Sequence, residues 1–302
     1  MLKIDKQNEN VAFNEKDHVY FDVTDTKKKY ISVTTMIEKF GQPFDKDFWS
    51  SYKALEKLLP TEEWAIEKKS LLNSKKFNKE LLELHNISED DFNREQQAIL
   101  DSWQAENKKS CERGTAIHAN LENSFYKKKK NIDLAKYQVG GKFECVKDKT
   151  ELDLENGVYP EYLISWDSPS GKLHVAGQID VIAKKGNSIC ILDWKSNKKI
   201  DLKGFYDSRT KKTTTMKFPL NNLQDCNYSH YNLQLRTYAY MLTQKHPEFI
   251  IEDLVLVHFD HNDNMTVYHL PYLRDEVIRM LSFFEKECVL EERKNKNKRV
   301  VY

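Results

Sequence analysis

Asp180, Asp193 and Lys195 are the residues whose types and spacing point most directly to chemistry. They fall in residues 177–199, GQIDVIAKKGNSICILDWKSNKK. Asp180 sits inside one apolar run and Asp193 near the end of the next. Lys195 follows Asp193 by two residues, so in a strand both side chains leave the same face. Ile189 and Ile191 alternate with Cys190, Leu192 and Trp194, the pattern of a strand buried on both faces. Charged groups inside such a strand are costly unless they pair or bind a metal. An Asp193–Lys195 pair alone reads as a solvated salt bridge of small energetic value. A second carboxylate on the neighbouring strand shifts the reading towards a hard divalent cation. The lysine is then placed to position a water or to neutralise charge at phosphorus. A five-residue connection over 184–188 sets Asp180 opposite Leu192, one residue short of Asp193. A bulge or a shifted turn brings the two carboxylates together, and the sequence is compatible with either register.

The elements that must position these groups are legible in outline. Strand-like runs cover 158–166, 174–183 and 189–195, with turns at 167–171 and 184–188. Upstream, 18–23 and 30–36 read as a hairpin running into a helix. Residues 43–109 are mostly helical, with Phe48, Trp49, Leu55, Leu58, Leu59 and Trp64 on packed faces. A short helix is predicted over 113–126, with Ile117, Leu121 and Phe125 on one stripe. Residues 201–228 form a long polar excursion. A helix over 229–243, a hairpin over 250–259 and 265–270, and a last helix over 272–292 complete the chain. The order predicts an α/β fold, a mixed central sheet flanked by helices with a helical N-terminal region. Residues 1–110 are expected as a hairpin and helical region packed on a core formed by 111–302. No GxGxxG or Walker A loop occurs, which removes the main support for dinucleotide or P-loop nucleotide binding.

Composition sets the outer bounds. The chain has 302 residues, enough for one large domain or two small ones. With 48 Lys+Arg against 47 Asp+Glu the formal charge is +1, which excludes coating nucleic acid or anionic membrane by bulk charge. Fifteen Tyr, fifteen Phe and five Trp argue against disorder. No apolar run approaches the roughly 18 residues of a membrane span, and the N-terminus lacks a secretory signal. The five cysteines are scattered without a CxxC pair. That disfavours a zinc ribbon and fits a reducing, intracellular and cytoplasmic setting. The near-neutral total hides an asymmetry. Residues 80–106 carry a net −7 and residues 184–217 a net +7, with five more basic residues in 293–299. The acidic stretch is expected to face away from DNA. The basic one suits salt-sensitive phosphate binding, with Phe205, Tyr206 and Phe218 available for stacking.

Taken in order, Gly114-TAI-His118, Glu161, Gly177-QI-Asp180, Asp193-W-Lys195 and Gln234-LRT-Tyr238 resemble the motif series of the PD-(D/E)XK nuclease superfamily. The resemblance is to its RecB-like branch, and the RGT-x-x-H and DWK-S textures are similar to those of mitochondrial genome maintenance exonucleases and phage-borne exonucleases. It covers residues 113–243. It implies a restriction-endonuclease-like core and Mg2+- or Mn2+-dependent hydrolysis of phosphodiester bonds, with one or two ions. Asp180 and Asp193 match the metal-binding acids, the Trp194 carbonyl a further ligand, and Lys195 the catalytic lysine. His118 matches a group that reaches over the site to ligate metal or hold phosphate. Glu161 matches a strand glutamate that completes the acidic cluster.

By the same resemblance Gln234 and Tyr238, one helical turn apart, hold the site or contact DNA. Arg113, Lys198, Lys199, Lys211 and Lys212 are the cationic candidates for DNA contact. Iron–sulfur members carry three clustered cysteines near the C-terminus, and only Cys288 lies beyond Cys226 here, so no cluster is expected. The activity implied is a DNA exonuclease in replication, repair or recombination, acting on single strands or opened ends. Without a helicase motif, opening the duplex would fall to replication or recombination partner proteins. A structure-specific endonuclease of the same superfamily, or a non-catalytic DNA-binding protein that keeps the fold, are the alternatives.

Overall fold

The computed structural model describes residues 2–4, 10–14, 16–25, 27–146, 155–207, 210–271 and 273–299. Its contacts divide the chain into two compact units. Residues 1–42, 114–206 and 213–302 form the first, and residues 43–113 with 207–212 form the second. The N-terminal strands therefore group with the sheet that follows, and the helices after them form a unit of their own.

The elements run as follows. Strands β1 (Leu2–Ile4), β2 (Val11–Asn14), β3 (Val19–Asp22) and β4 (Ile31–Ser32) precede helices α1 (Val33–Glu38), α2 (Lys46–Leu58), α3 (Thr61–Ser74), α4 (Glu80–Leu84) and α5 (Glu89–Lys128). Short strands β5 (Ile132–Asp133) and β6 (Lys142–Phe143) lead to the long strands β7 (Gly157–Asp167), β8 (His174–Lys185) and β9 (Ser188–Lys195). A small ladder, β10 (Tyr206–Asp207) with β11 (Lys212–Thr213), precedes α6 (Asn227–Lys245), β12 (Ile250–Phe259), β13 (Met265–His269) and α7 (Arg274–Arg299).

Six strands make the central sheet, in the order β13-β12-β9-β8-β4 with β7 also paired to β8. It is mixed: β9 and β12 run parallel, as do β4 and β8, while β7–β8, β8–β9 and β12–β13 are antiparallel. Parallel pairing needs a crossover, and α6 supplies the one from β9 to β12. On one face, Ile179, Ile191, Leu254 and Leu256 pack with Met36 of α1, Leu233 and Met241 of α6, and Met280 of α7. On the other, Val181, Leu192, Trp194 and Val257 meet Phe125 of α5, Leu134, Tyr137 and Phe143. The α/β class and the flanked mixed sheet are thus as the sequence predicts.

Four details differ from the expectation. Ser188 pairs with Lys185, so the β8–β9 connection is a two-residue turn, Gly186–Asn187, and not the five-residue link over 184–188. Gly186 takes the left-handed φ of 58° that such a turn needs. The helix predicted over 113–126 is the end of the 40-residue α5, because residues 89–128 contain no proline and a single glycine to stop it. The polar excursion after residue 200 is anchored: Met216 and Leu220 are fully buried, and the Lys217 N–H donates to the Phe40 carbonyl at 2.7 Å. Isolated apolar anchors among polar residues carry no periodic signal. The hairpin read over 18–23 and 30–36 is replaced: β3 pairs with β2 in a separate small sheet that includes β1, while β4 joins β8 in the central sheet. Val11, Phe13 and Tyr20 of the small sheet pack on Leu163 of β7 and Ala176 of β8.

In the second unit, Phe48, Tyr52, Leu55, Trp64, Leu82 and Phe92 form a core of their own. Tyr52 and Trp64 meet edge to face at 4.7 Å, and Phe77 stacks on Phe92 at 4.8 Å. The Asp45 carboxylate caps α2 by accepting from the Phe48 N–H at 2.9 Å. Among the described residues, no helix is long and apolar enough to cross a membrane.

Gly177 shows how closely the sheet and α6 approach. A Cβ there would collide with the ring of Tyr238. Gly177→Ala should lower stability in urea unfolding by about 1–3 kcal/mol, the usual cost of overpacking. Adding Tyr238→Ala should make the glycine substitution nearly neutral in the double variant. Equal losses in the two backgrounds would contradict the packing.

Candidate metal centre

The two-residue turn decides which groups meet. Val181 pairs with Leu192, and carrying that register one step further sets Asp180 against Asp193. The residues facing each other across an antiparallel pair share a face, so both carboxylates leave the side covered by α6. On the other flank of β8, Pro160 pairs with Val181 and Tyr162 with Ile179, which places Glu161 opposite Asp180. Glu161 itself has φ 50°, a strained conformation for a non-glycine residue inside a strand. Strain of this kind concentrates where a side chain must be aimed.

Trp194 ties the strands together through its backbone. Its indole is buried on the opposite face, 4.7 Å from the Tyr137 ring centroid. With the side chain anchored there, the Trp194 N–H donates to Asp180 Oδ2 at 2.7 Å. The Trp194 carbonyl accepts from His118 Nε2 of α5 at 3.1 Å. A carbonyl only accepts, so this bond puts a proton on Nε2 and turns Nδ1 towards the acids. His118 Nδ1 lies 3.5 Å from Asp180 Oδ1 and 3.8 Å from Glu161 Oε1.

Asp193 is held from two sides. Lys195 Nζ lies 2.6 Å from Oδ2, and Gln234 Nε2 of α6 donates to Oδ1 at 3.3 Å and to the Tyr238 hydroxyl at 3.3 Å. The Lys195 ammonium also sits 4.9 Å from the Tyr231 ring centroid, a cation–π contact. Beyond the strand, His258 Nε2 bonds the Asn197 carbonyl at 2.6 Å and fixes the chain that leaves the site.

These placements shift the proton affinities. Burial, and then the neighbouring Asp193 charge, push the Asp180 carboxyl up to about 8. Burial lowers the affinity of His118 for its proton, but Glu161, Asp180 and Asp193 outweigh it and bring its pKa to about 9. Lys195 is also desolvated, yet Asp193 and Asp180 hold its pKa above the ordinary value. The cluster thus binds protons in place of positive charge that its carboxylates demand. That is the behaviour of a site suited to a cation.

The donor set fits a hard divalent ion. Ligand atoms of His118, Glu161 and Asp180 lie within 4.8 Å of one another. Two carboxylates, a backbone carbonyl and an imidazole are the oxygen-rich mixture that magnesium and manganese accept. Asp193 stands outside that group of three, bound to Lys195 and Gln234, but close enough to raise Asp180.

Of the sequence-predicted site residues, His118, Glu161, Asp180, Asp193, Trp194, Lys195, Gln234 and Tyr238 come together. Gln234 and Tyr238 are buried, so they hold the site from behind. Lys198 and Lys199 are exposed just past β9, and Lys199 pairs with Asp201 at 2.6 Å. Arg113, Lys211 and Lys212 belong to the second unit. Tyr231, which the sequence reads only as a packing residue, lies three residues from Gln234 on the same helical face and meets the Lys195 ammonium. Also unforeseen was a cleft of about 860 Å³ in the first unit, which holds His118, Glu161 and Asp180 and is walled partly by β2, β3 and α1.

No family model and no curated protein matches the sequence. Among solved structures, the fold is similar to that of SSO0001, at 13% identity and a TM-score of 0.30, covering 63% of this chain and 68% of that one. It is also similar to an exonuclease candidate from Eubacterium rectale, at 11% identity and a TM-score of 0.28, covering 42% of this chain and 41% of the other. Likenesses at this level do not bear on function.

The raised pKa values set a sign for stability. Asp180 and His118 both bind a proton more tightly folded than unfolded. Their contribution is fully present below the unfolded pKa and is lost as pH rises through about 8 and about 9. In chelator, the melting temperature should therefore fall from about pH 6 to about pH 9. Mg2+ or Mn2+ should raise it, and more at the alkaline end, where the ion no longer competes with protons. Asp180→Asn should flatten both dependences in thermal unfolding. A metal effect independent of pH would contradict the electrostatics.

Proposed function

We propose that this protein is a metal-dependent deoxyribonuclease, hydrolysing phosphodiester bonds of single-stranded DNA or of DNA ends. One observation carries the reading: Glu161, Asp180 and His118 converge beside a charged Asp193–Lys195 pair at the tip of β9. Asp180, Glu161 and His118 would hold the cation, with Asp193 and the Trp194 carbonyl as further donors from the adjacent strand. A divalent ion held there would supply a coordinated water of lowered pKa and a charge against the phosphate.

The chain's own groups do the rest. Lys195 keeps its proton more tightly than an ordinary lysine, which makes it a poor base at neutral pH. Its role is to orient the attacking water by donating a hydrogen bond and to neutralise charge developing at phosphorus. Gln234 fixes Asp193 Oδ1, so Asp193 turns its other oxygen to Lys195. The His118 imidazole, held by the Trp194 carbonyl, closes the site from α5.

The motif series Gly114–His118, Glu161, Gly177–Asp180, Asp193–Lys195 and Gln234–Tyr238 extends this to the RecB-like PD-(D/E)XK nucleases and to exonuclease action. An endonuclease of the same superfamily would use the same site. Circular single-stranded DNA should resist the enzyme if an end is required. A non-catalytic DNA-binding role is disfavoured by the joint presence of Asp180, Asp193 and Lys195. Phosphate affinity is assigned to the basic segment 184–217, including Lys198, Lys199, Lys211 and Lys212, with Arg113 as a further cation.

With end-labelled DNA and Mg2+, Asp193→Asn and Lys195→Ala should each lower the rate by about a hundredfold or more. Gln234→Ala should fall between them and wild type. Asp193→Asn cutting at the wild-type rate would refute the assignment. Cleavage should also drop steeply between low and physiological salt, since neutralised phosphates release counterions. A flat salt response would remove the basic segment from the account.

A further inference from the structure

One wall of the cleft is built of rings. Phe13 of β2 stacks on Tyr20 of β3 with centroids 4.5 Å apart at 25°. Phe13 also stacks on His18, in the turn between the strands, at 5.4 Å and 27°. Phe13 and Tyr20 are 5% and 8% exposed, so of the three rings His18 alone offers a surface to solvent. All three line the same cleft as His118, Glu161 and Asp180, and Lys16 lines it beside them.

The stack is anchored and its tip is preset. Phe13 and Tyr20 belong to the cluster that rests on Leu163 and Ala176 of the central sheet. In the turn, the Asn14 side-chain oxygen accepts from the Lys16 N–H at 3.0 Å, and the Asn14 amide donates to Asp17 at 2.7 Å. His18 follows with φ 53°, a left-handed conformation that histidine tolerates better than most residues. A flat ring backed by a second ring loses little entropy when another flat ring stacks on it. An acidic centre has no need of such a wall for the phosphate. A planar, uncharged group joined to the phosphate does.

Resting on the nuclease reading above, we propose that His18, backed by Phe13, is the ledge on which an unpaired base of the substrate strand stacks, and that Lys16 meets the strand's phosphate. Each base carries a π-face, so such a ledge reads single-strandedness and not sequence. A base still paired in a duplex is stacked on its own neighbours and is not free to use it. The ledge is thus a specificity device for single strands or opened ends. His18 is a positioning residue that touches substrate away from the reacting atoms.

The test compares an oligothymidylate with an abasic strand of the same length. Affinity is measured by fluorescence anisotropy with Ca2+, and cleavage separately with Mg2+. Wild type should bind the base-bearing strand about tenfold more tightly, within the usual worth of one stacked base. His18→Ala should bring that ratio close to one and leave binding and cleavage of the abasic strand unchanged. His18→Phe should restore the ratio. If His18→Ala keeps the wild-type preference, or weakens both strands equally, the ledge is refuted while cleavage upholds the nuclease reading. Wild type without preference for bases refutes it too. If neither strand is cut but the preference depends on His18, the nuclease reading falls and the ledge stands.

Discussion

Everything around this site answers to one constraint: two carboxylates sit side by side within a buried sheet. Asp180 and Asp193 are 8% and 1% exposed, on adjacent strands and on one face. Like charges at such separation in a low-dielectric surrounding repel strongly. Charge compensation is therefore built in from every direction. The Trp194 N–H, the Lys195 ammonium, the Gln234 amide and the His118 imidazole each point at one of the acids. What they leave over is a demand for positive charge that protons satisfy at low pH and that a divalent ion would satisfy in their place.

The scaffold is arranged to make that unfavourable pair rigid. A two-residue turn fixes the register of β8 and β9, and Trp194 locks the strand end by burying its indole on the far face. Helix α6 approaches until the Tyr238 ring occupies the space above Gly177, which brings Gln234 to Asp193. A loose site would let the carboxylates separate and relax. A packed one cannot, and preorganised charge costs no reorganisation when a reaction develops charge of its own. The strained φ of Glu161 belongs to the same arrangement, for it aims a third acid at the pair.

Much of this was legible in the chain because the informative features are periodic or local. Alternation gave the faces of β9, and the two-residue spacing of Asp193 and Lys195 gave their common direction. The i, i+4 spacing placed Gln234 and Tyr238 together. The register between β8 and β9 was not legible, because it depends on whether Gly186 adopts a left-handed turn. A one-residue slip there would have sent Asp193 to the wrong neighbour. The full length of α5 was obscured by polar residues that interrupt its apolar stripe. The wall formed by Phe13, His18 and Tyr20 escaped because its ring contacts depend on strand pairing across a turn and on packing against residues about 150 positions away.

The Asp180 cluster is proposed as a divalent-cation site. Anomalous diffraction from crystals soaked in Mn2+ tests it most directly. A manganese peak bounded by Asp180, Glu161 and His118 is expected, absent from crystals of the Asp180→Asn variant. Manganese bound elsewhere, with no peak at that position at alkaline pH, would refute it.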